Sequence, residues 1–427
     1  MKRAIAVLMS LFALALAGCS FGSPIEELMK PPQLSEEQSD LYNALISEVG
    51  SSIKLKYPRS GSYRSPFVMY DIDGDGISES VVFYESKGAN VTESAVEVRI
   101  FDSENEAWKS VKSFKCVGTD IDIVDFAIGN DGVNIIVGYY KGLSEKNLMV
   151  VKGDSSSEVN TLFESAYTSV FLYDTVKNGP SDLLVFNNNA VSEASAVSLV
   201  SPADGAYKEV GRVDMAKDIV SIANIESLRN GETSLLYVDT VNSSNRLSTE
   251  IVEVGKNGLI RNLTMSGENA NLLVTQRQWG LFSSDIDRDG IIEVPVEASL
   301  PGYENTKEAH PFATQWQVYE NGRFVRKYYS YCSLNDGYIF TFPERWLGQV
   351  TVKTDSLTGD VIFCKSDGSL ELMRIRTLKD SSEVQLPNGY KKIASTEHTE
   401  YFVKISTAED ALVPTEAEIT YGLLLQD

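Results

Sequence analysis

The feature that most constrains the fold is a glycine-marked repeat in the first three quarters of the chain. Short apolar runs stand before and after each marker, and the markers are Gly76, Gly132, Gly179, Gly231 and Gly290. They are spaced 56, 47, 52 and 59 residues apart. Each unit continues with two more strand-like runs around a polar turn, as in VEVRIFDSENEAWKSV. One unit therefore holds four predicted strands.

This repeat predicts a mainly β protein. Four strands in about 40–50 residues are typical of one β-propeller blade. Five units predict a five-bladed propeller over residues 51–332. A sixth blade assembled from the chain ends and a plain stack of hairpins stay open as alternatives. The 20 Tyr and 17 Phe agree with β structure, because aromatic side chains suit the pleated, half-buried surface of a sheet.

The pattern changes after Cys332, and residues 333–427 predict a small α+β domain. Five strand-like runs, from GYIFTFPERW to EYFVKI, occupy most of this segment. They are followed by a capping box at Thr415 and Glu418. The box predicts a final helix that runs on through Leu425.

The N-terminus predicts export. Lys2 and Arg3 precede an apolar stretch, residues 4–17, that is too short to span a bilayer comfortably. The stretch ends in LAGC, which resembles a bacterial lipobox. The resemblance implies that residues 1–18 are a signal peptide and that Cys19 carries a lipid; an ordinary secretory signal is the alternative. The mature protein is then predicted to be extracytoplasmic and anchored to the membrane without spanning it.

A tether and a helix are predicted to follow the anchor. Residues 19–34 contain three prolines and predict the tether. Residues 35–50 predict a helix that begins with a capping box at Ser35 and Gln38 and ends at Gly50. Its polar face is rich in Glu and has no Lys, so we expect it to pack on the protein and not on lipid.

Charge and cysteine usage exclude several function classes. The net charge of −22 argues against nucleic-acid binding, which depends on Lys and Arg contacts to phosphate. The cysteines other than Cys19 are Cys116, Cys332 and Cys364, and none forms a CxxC pair. Buried apolar thiols are favoured for them, and a Cys332–Cys364 disulfide stays open. Two histidines are too few for a His-rich zinc site.

Two carboxylate-rich turns lie in the first and last repeats, and both predict a calcium site. Carboxylates crowded on one turn repel each other or shift their pKa upward unless a cation lies among them. Six to eight oxygen ligands suit Ca²⁺ better than Mg²⁺. The predicted ligands are the side chains of Asp71, Asp73, Asp75 and Glu79 with the carbonyl of Ile77, and then Asp285, Asp287, Asp289 and Glu293 with the carbonyl of Ile291. Two structural calcium ions are therefore predicted.

These turns are not EF-hand loops. Position 12 is Val82 or Val296 where an EF-hand has a bidentate Glu, and strands flank both turns. The pattern DxDGDGxxE between strands resembles the FG-GAP or VCBS repeats of bacterial surface propellers. The resemblance implies that each loop joins two strands of a blade and that its ion is structural. The other three copies lack most of the carboxylates and are predicted to be metal-free.

The predicted function is binding, without a catalytic residue. No nucleophile elbow, phosphate loop or zinc-protease motif occurs. The LAGC box, the acidic loops and the GYIFTFPERW segment together resemble bacterial surface lipoproteins, and the last segment is similar to PsbP-like sandwiches. We interpret the chain as a binding or scaffolding module for a protein, peptide or glycan. The alternatives are a hydrolase of envelope polysaccharide or peptide with a carboxylate pair, and a calcium-dependent sensor.

Overall fold

The structure is a computed structural model, and it describes residues 34–86, 95–104, 107–153, 158–176, 179–189, 194–264, 272–306, 310–379 and 386–426. The predicted signal peptide, Cys19 and nearly all of the predicted tether lie outside these residues. No helix in the described part of the chain is long and apolar enough to cross a bilayer. The described residues divide into two compact units, one within residues 34–59, 63–121 and 158–159, and one within residues 60–62, 122–153 and 160–426.

The first unit is one sheet with a helix packed on it. Its elements are α1 (Glu36–Val49), β1 (Ile53–Leu55), β2 (Phe67–Tyr70), β3 (Glu79–Ser86), β4 (Val96–Glu104) and β5 (Ala107–Cys116). The strand order is β1-β3-β4-β5, and β2 also pairs with β3. The Ser35–Gln38 capping box is present at the start of α1. Leu41 and Leu45 of α1 are fully buried against apolar side chains of the sheet, which fixes the helix to the protein.

The second unit begins with three sheets that repeat one topology. The first contains β6 (Asp120–Gly129, whose first two residues belong to the first unit), β7 (Gly132–Tyr140), β8 (Lys146–Lys152) and β9 (Thr161–Ala166). The second contains β10 (Ser169–Tyr173), β11 (Asp182–Asn189), β12 (Ala194–Ala203) and β13 (Ala206–Met215). The third contains β14 (Ile219–Asn230), β15 (Thr233–Asn242), β16 (Leu247–Gly255) and β17 (Leu259–Asn262). In each sheet, successive strands are neighbours in an antiparallel meander.

Two further sheets complete the unit. One contains β18 (Glu293–Ala298), β19 (Ala313–Glu320), β20 (Arg323–Ser333), β21 (Tyr338–Thr341) and β27 (Leu423–Leu425). The other contains β22 (Val350–Thr354), β23 (Val361–Lys365), β24 (Glu371–Lys379), β25 (Lys391–Ser395) and β26 (Thr399–Ile405). The helix α2 (Glu416–Gly422) precedes β27. The chain is thus mainly β, and the repeat glycines lie at or just before the starts of β3, β7, β11, β15 and β18.

The C-terminal helix is shorter than the sequence predicts. Its capping box at Thr415 and Glu418 is present, but α2 ends at Gly422. Leu423–Leu425 then pairs as a strand with β21. The capping pattern is local and determines only where the helix begins, whereas the unpaired edge of β21 offers backbone hydrogen bonds that end it. The sequence pattern also missed β25, which pairs with β26 at an edge.

An aromatic core joins the last two sheets. Phe340, Phe342, Trp346 and Phe363 are buried together, with ring centroids 5.2 to 6.4 Å apart. Such tilted and edge-to-face contacts add about 0.5–1.5 kcal/mol per pair beyond burial. The indole nitrogen of Trp346 donates to the carbonyl of Leu412, so burial of this ring leaves no donor unsatisfied.

The three cysteines of the described residues form no disulfide. Cys116 and Cys364 are buried, and Cys332 is partly buried. Burial raises the pKa of the Cys332 thiol and also that of the Cys364 thiol, which favours the neutral form. The favoured sequence prediction of apolar thiols therefore agrees with the structure, and the Cys332–Cys364 alternative is wrong.

Candidate metal centre

The first acidic loop lies between β2 and β3, and its aspartates accept hydrogen bonds from the loop's own backbone nitrogens. Asp71 accepts hydrogen bonds from the backbone nitrogens of Gly74 (2.8 Å) and Gly76 (3.1 Å). Both glycines have positive φ angles, 82° and 88°, which L side chains rarely adopt. Asp75 accepts from the backbone nitrogen of Ile77 at 2.7 Å. The sequence therefore forms this tight turn through Asx contacts and two left-handed residues.

Glu79 stands at the buried side of the first loop. Its Oε2 accepts from the backbone nitrogens of Ile72 (2.6 Å) and Asp73 (3.3 Å). Its Oε1 is buried and has no hydrogen-bond partner in the described part of the chain. Burial raises the pKa of Glu79, although the Ile72 hydrogen bond opposes this shift. A buried carboxylate oxygen without a partner is costly, which makes Glu79 Oε1 a candidate ligand atom.

The first loop fits a calcium ion in part of its predicted ligand set. Asp71, Asp73 and Glu79 each present one oxygen, and these oxygens lie within 4.8 Å of one another. Asp75 is not a member of this group. The carboxylate oxygens are the hard ligands that Ca²⁺ prefers, and the Glu79 Oε1 atom is the one that lacks any other partner.

The second loop repeats the backbone arrangement before β18. Asp285 accepts from the backbone nitrogens of Asp289 (3.0 Å) and Gly290 (2.8 Å). Oxygens of Asp285, Asp287 and Asp289 lie within 4.8 Å of one another. Glu293 is fully buried, and its Oε2 accepts from the backbone nitrogen of Ile286 at 3.0 Å. The backbone therefore closes in the same way as in the first loop.

A lysine side chain distinguishes the second loop from the first. The Nζ atom of Lys327, on β20, lies 2.6 Å from Asp289 Oδ2, 2.8 Å from Glu293 Oε1 and 2.9 Å from Asp287 Oδ2. Tyr328 next to it donates a hydrogen bond to Asp287 Oδ2. Three of the predicted ligands, Asp287, Asp289 and Glu293, thus lie around an ammonium group that the sequence did not assign to this loop.

The pKa shifts at the second loop follow from this contact. Burial alone would lower the pKa of Lys327, but hydrogen bonds to Asp289, Glu293 and Asp287 outweigh it and raise that pKa. Burial alone would raise the pKa of Asp287, but hydrogen bonds from Tyr328 and Lys327 outweigh it and lower that pKa. Glu293 is buried deeply enough for its pKa to be raised in spite of Lys327.

The carboxylate at position 9 has a second role that the sequence did not reveal. In the third repeat, Asp182 accepts from the backbone nitrogen of Thr175 at 3.0 Å. This bond corresponds to the Glu79–Ile72 and Glu293–Ile286 bonds, because all three join residues seven apart. The residue at position 9 thus closes the turn even in a loop that keeps Asp174 but has Val176 and Asn178 in place of the other two aspartates.

An aromatic cleft of about 880 Å³ lies elsewhere in the second unit. Trp279 is half exposed (51%) and packs edge-to-face on Phe282. Tyr303 and His310 are stacked with ring centroids 5.0 Å apart. The cleft is lined by Gln278, Trp279, Tyr303, His310, Pro311, Phe312, Tyr331, Cys332, Ser333, Leu334, Asn335, Lys353 and Thr354. These described lining residues include no carboxylate, although the chain as a whole is strongly acidic.

A second groove of about 660 Å³ contains carboxylates, but arginines neutralise them. Glu418 pairs with Arg345, and Glu344 lies 3.4 Å from Arg326. The hydrogen bond from Arg345 is the main reason that the pKa of Glu418 is lowered to about 2. A carboxyl group with so low a pKa cannot act as a general acid near neutral pH.

Comparison with known proteins shows no family. No family model matches the chain, and no curated protein matches it. Among solved structures, Sqt1 of Saccharomyces cerevisiae has 10% identity and a TM-score of 0.31, covering 73% of this chain and 93% of its own. An exo-β-1,3-galactanase from Phanerochaete chrysosporium has 8% identity and a TM-score of 0.27, covering 80% and 82%. The Dos1 propeller has 7% identity and a TM-score of 0.28, covering 82% and 92%.

These structural matches are loose. TM-scores so far below 0.5 carry no argument about this chain, and identities of 7% to 10% say nothing of a shared activity. What the protein does must be inferred from its own residues.

Proposed function

We propose that this chain is a lipid-anchored, extracytoplasmic binding or scaffolding module. It would be a five-bladed β-propeller stiffened by structural calcium and followed by a small α+β domain. Five sheets in succession start with the same loop-and-strand unit, which supports the repeat. The lipid anchor at Cys19 is supported by the LAGC sequence alone.

The observation that carries the calcium proposal is the buried Oε1 of Glu79. It has no hydrogen-bond partner in the described residues, and oxygens of Asp71 and Asp73 are close to an oxygen of the same side chain. Calcium at this loop would supply the missing positive charge. The loop joins β2 and β3, so the ion would hold the start of β3 in place, which is a structural role.

Calcium should stabilise the mature protein, and Glu79→Gln should abolish this effect. An ion that binds only the folded state, at about 100 times its dissociation constant, adds about 2.7 kcal/mol to the free energy of unfolding. The amide of Gln can still accept the Ile72 hydrogen bond, but it removes the charge that a cation needs. Thermal melting with calcium and with chelator measures both effects.

The matched control for this experiment is Asp131→Asn, which changes an acidic residue in the corresponding turn of the second repeat. Asp131 is exposed, so the variant should respond to calcium as the unmodified protein does. A chain whose melting temperature is the same in calcium and in chelator would contradict the proposal. So would a Glu79→Gln variant that keeps the full calcium response.

The aromatic cleft is the best-supported binding surface, and we assign it to a glycan. An exposed indole and a stacked aromatic pair offer flat apolar faces to sugar rings, and the amides of Gln278 and Asn335 offer hydrogen bonds. A glycoside hydrolase needs two carboxyl groups at the bond that it cleaves. The described lining of the cleft has none, so binding is favoured over hydrolysis at this site.

Trp279→Ala should weaken binding of soluble envelope polysaccharide about tenfold, because loss of a stacking face removes about 1–1.5 kcal/mol. Quenching of tryptophan fluorescence during titration measures the affinity of the unmodified protein, and calorimetry measures that of the variant. Tyr57→Ala is the control, because Tyr57 is an exposed aromatic residue outside the cleft. Equal affinities for all three proteins would contradict the assignment, and release of reducing ends would support the hydrolase instead.

A further inference from the structure

We propose that Lys327 serves as a built-in cation of the second acidic loop, so that the protein binds calcium at the first loop only. The inference concerns the division of roles between the two loops, and its calcium count rests on the function proposed above. It differs from the two-ion prediction made from the sequence, in which both loops have nearly the same carboxylates.

The Lys327 ammonium group has a carboxylate of the second loop for each of its three hydrogens. An ammonium group has three hydrogens to donate, and three carboxylates lie within 2.9 Å of its nitrogen. Calcium requires six to eight oxygens at 2.3–2.6 Å. An ion at this position would have to displace the Lys327 side chain. That side chain is only 20% exposed, and its charge is already paired with three carboxylates.

A β-bulge brings Lys327 to the loop. In the pairing of β19 with β20, Trp316 is opposite Tyr328 and Gln317 is opposite Arg326. Lys327 is therefore the extra residue of the bulge. Bulges redirect side chains, and here the redirected side chain meets the carboxylates that precede β18.

The first unit has the same bulge with a different residue. In the pairing of β4 with β5, Ile100 is opposite Lys112 and Phe101 is opposite Ser110. The extra residue is Val111, which has no charge to offer. The two sheets thus share the backbone feature and differ in the side chain that it presents.

The carboxylates at position 9 of the two loops differ in their hydrogen-bond partners. Glu293 Oε1 accepts from Lys327 at 2.8 Å, whereas the equivalent Glu79 Oε1 is buried without a partner in the described residues. Lys327 contacts three carboxylates of the second loop. The second loop therefore carries a positive group of its own, whereas the buried Glu79 Oε1 of the first loop is open to an ion from solution.

The test is the number of calcium ions bound by the mature protein, measured by calorimetric titration and by terbium luminescence. We expect one ion for the unmodified chain and two for Lys327→Met, because removing the ammonium leaves the carboxylates of the second loop uncompensated. In chelator, Lys327→Met should melt at a lower temperature than the unmodified chain, and calcium should remove that difference. Lys327→Gln serves as a second variant if the methionine variant does not fold.

The reciprocal variant is Val111→Lys, which places a lysine at the equivalent bulge of the first unit. We expect it to reduce calcium binding at the first loop at least tenfold while the protein stays folded. Two ions on the unmodified chain would overturn the inference and leave the function proposed above intact. No ion on the unmodified chain and one on Lys327→Met would support the role of Lys327 and refute calcium at the first loop. A folded Lys327→Met and Lys327→Gln pair that binds no more calcium than the unmodified chain would overturn the inference.

Discussion

Arg277→Met should lower the free energy of unfolding by about 3–5 kcal/mol, the cost of breaking a buried ion pair by removing one partner. Arg277 and Asp239 are both fully buried, with Nη2 2.7 Å from Oδ1. The guanidinium also donates to the carbonyls of Leu281 and Thr275. Burial lowers the pKa of Arg277, although Asp239 opposes this shift. The variant would leave a buried carboxylate without its counter-charge.

Urea unfolding followed by circular dichroism measures this loss. In the double variant Arg277→Met/Asp239→Asn, the second change removes the uncompensated charge. The amide oxygen that Asp239→Asn introduces can still accept a hydrogen bond from the backbone nitrogen of Ser283, which is 2.7 Å from Asp239 Oδ2. The double variant should therefore lose less stability than the sum of the two single variants. An Arg277→Met variant that loses less than about 1 kcal/mol would contradict this account.

Glu250 should make the protein less stable as the pH rises from about 5 to 8. Burial raises the pKa of this carboxyl group to about 7, despite hydrogen bonds from Asn262 and Ala216. In the unfolded chain the pKa is near 4.5. The group therefore contributes its full stabilisation below pH 4.5, and the contribution is lost as the pH passes through 7. The difference between a pKa of about 7 and one of 4.5 corresponds to about 3–4 kcal/mol at most.

The comparison that isolates this group is between the unmodified protein and Glu250→Gln, which cannot ionise. The difference between their free energies of unfolding should change by about 2–3 kcal/mol between pH 5 and pH 8, in the direction that favours Gln at high pH. Glu232→Gln is the control, because Glu232 is an exposed carboxylate in the turn between β14 and β15. Parallel stability profiles for the unmodified protein and Glu250→Gln would show that Glu250 is not the group responsible.

The buried position of Glu250 also bears on the hydrolase alternative. A carboxyl group with a pKa near 7 is suited to general acid catalysis. Glu250 is fully buried, however, and its oxygens accept from the backbone of Ala216 and from Asn262. It does not line either of the two grooves described above. Its raised pKa therefore reflects burial within a sheet and gives no support to an active site.

Local patterns were sufficient for much of the fold. The capping boxes at Ser35 and Thr415 are present because each is complete within four residues. The tight turns of the acidic loops are local as well, since their Asx contacts and left-handed residues depend only on neighbours in the sequence. At Arg288, which replaces Gly74, the backbone keeps a positive φ of 62°. This shows that the loop pattern tolerates one non-glycine residue there.

Contacts between distant residues could not be predicted in this way. Lys327 lies more than thirty residues beyond the loop that it contacts, within a run, RFVRKYY, that has no metal-site signature. Its position depends on a bulge in strand pairing, and pairing register is not visible in a single sequence. The end of α2 likewise depends on the edge of β21.

The sequence by itself determined the strand repeat, the helix starts and the clusters of carboxylates, because these follow from interactions within a few residues. Which groups each cluster of carboxylates meets was settled by contacts between distant residues. The tertiary structure left Glu79 Oε1 without a partner and brought Lys327 to Glu293, although the two loops look alike in the sequence. The physical reason is that electrostatic compensation depends on distance in space, and the residue that supplies it can come from any strand that the sheet places nearby.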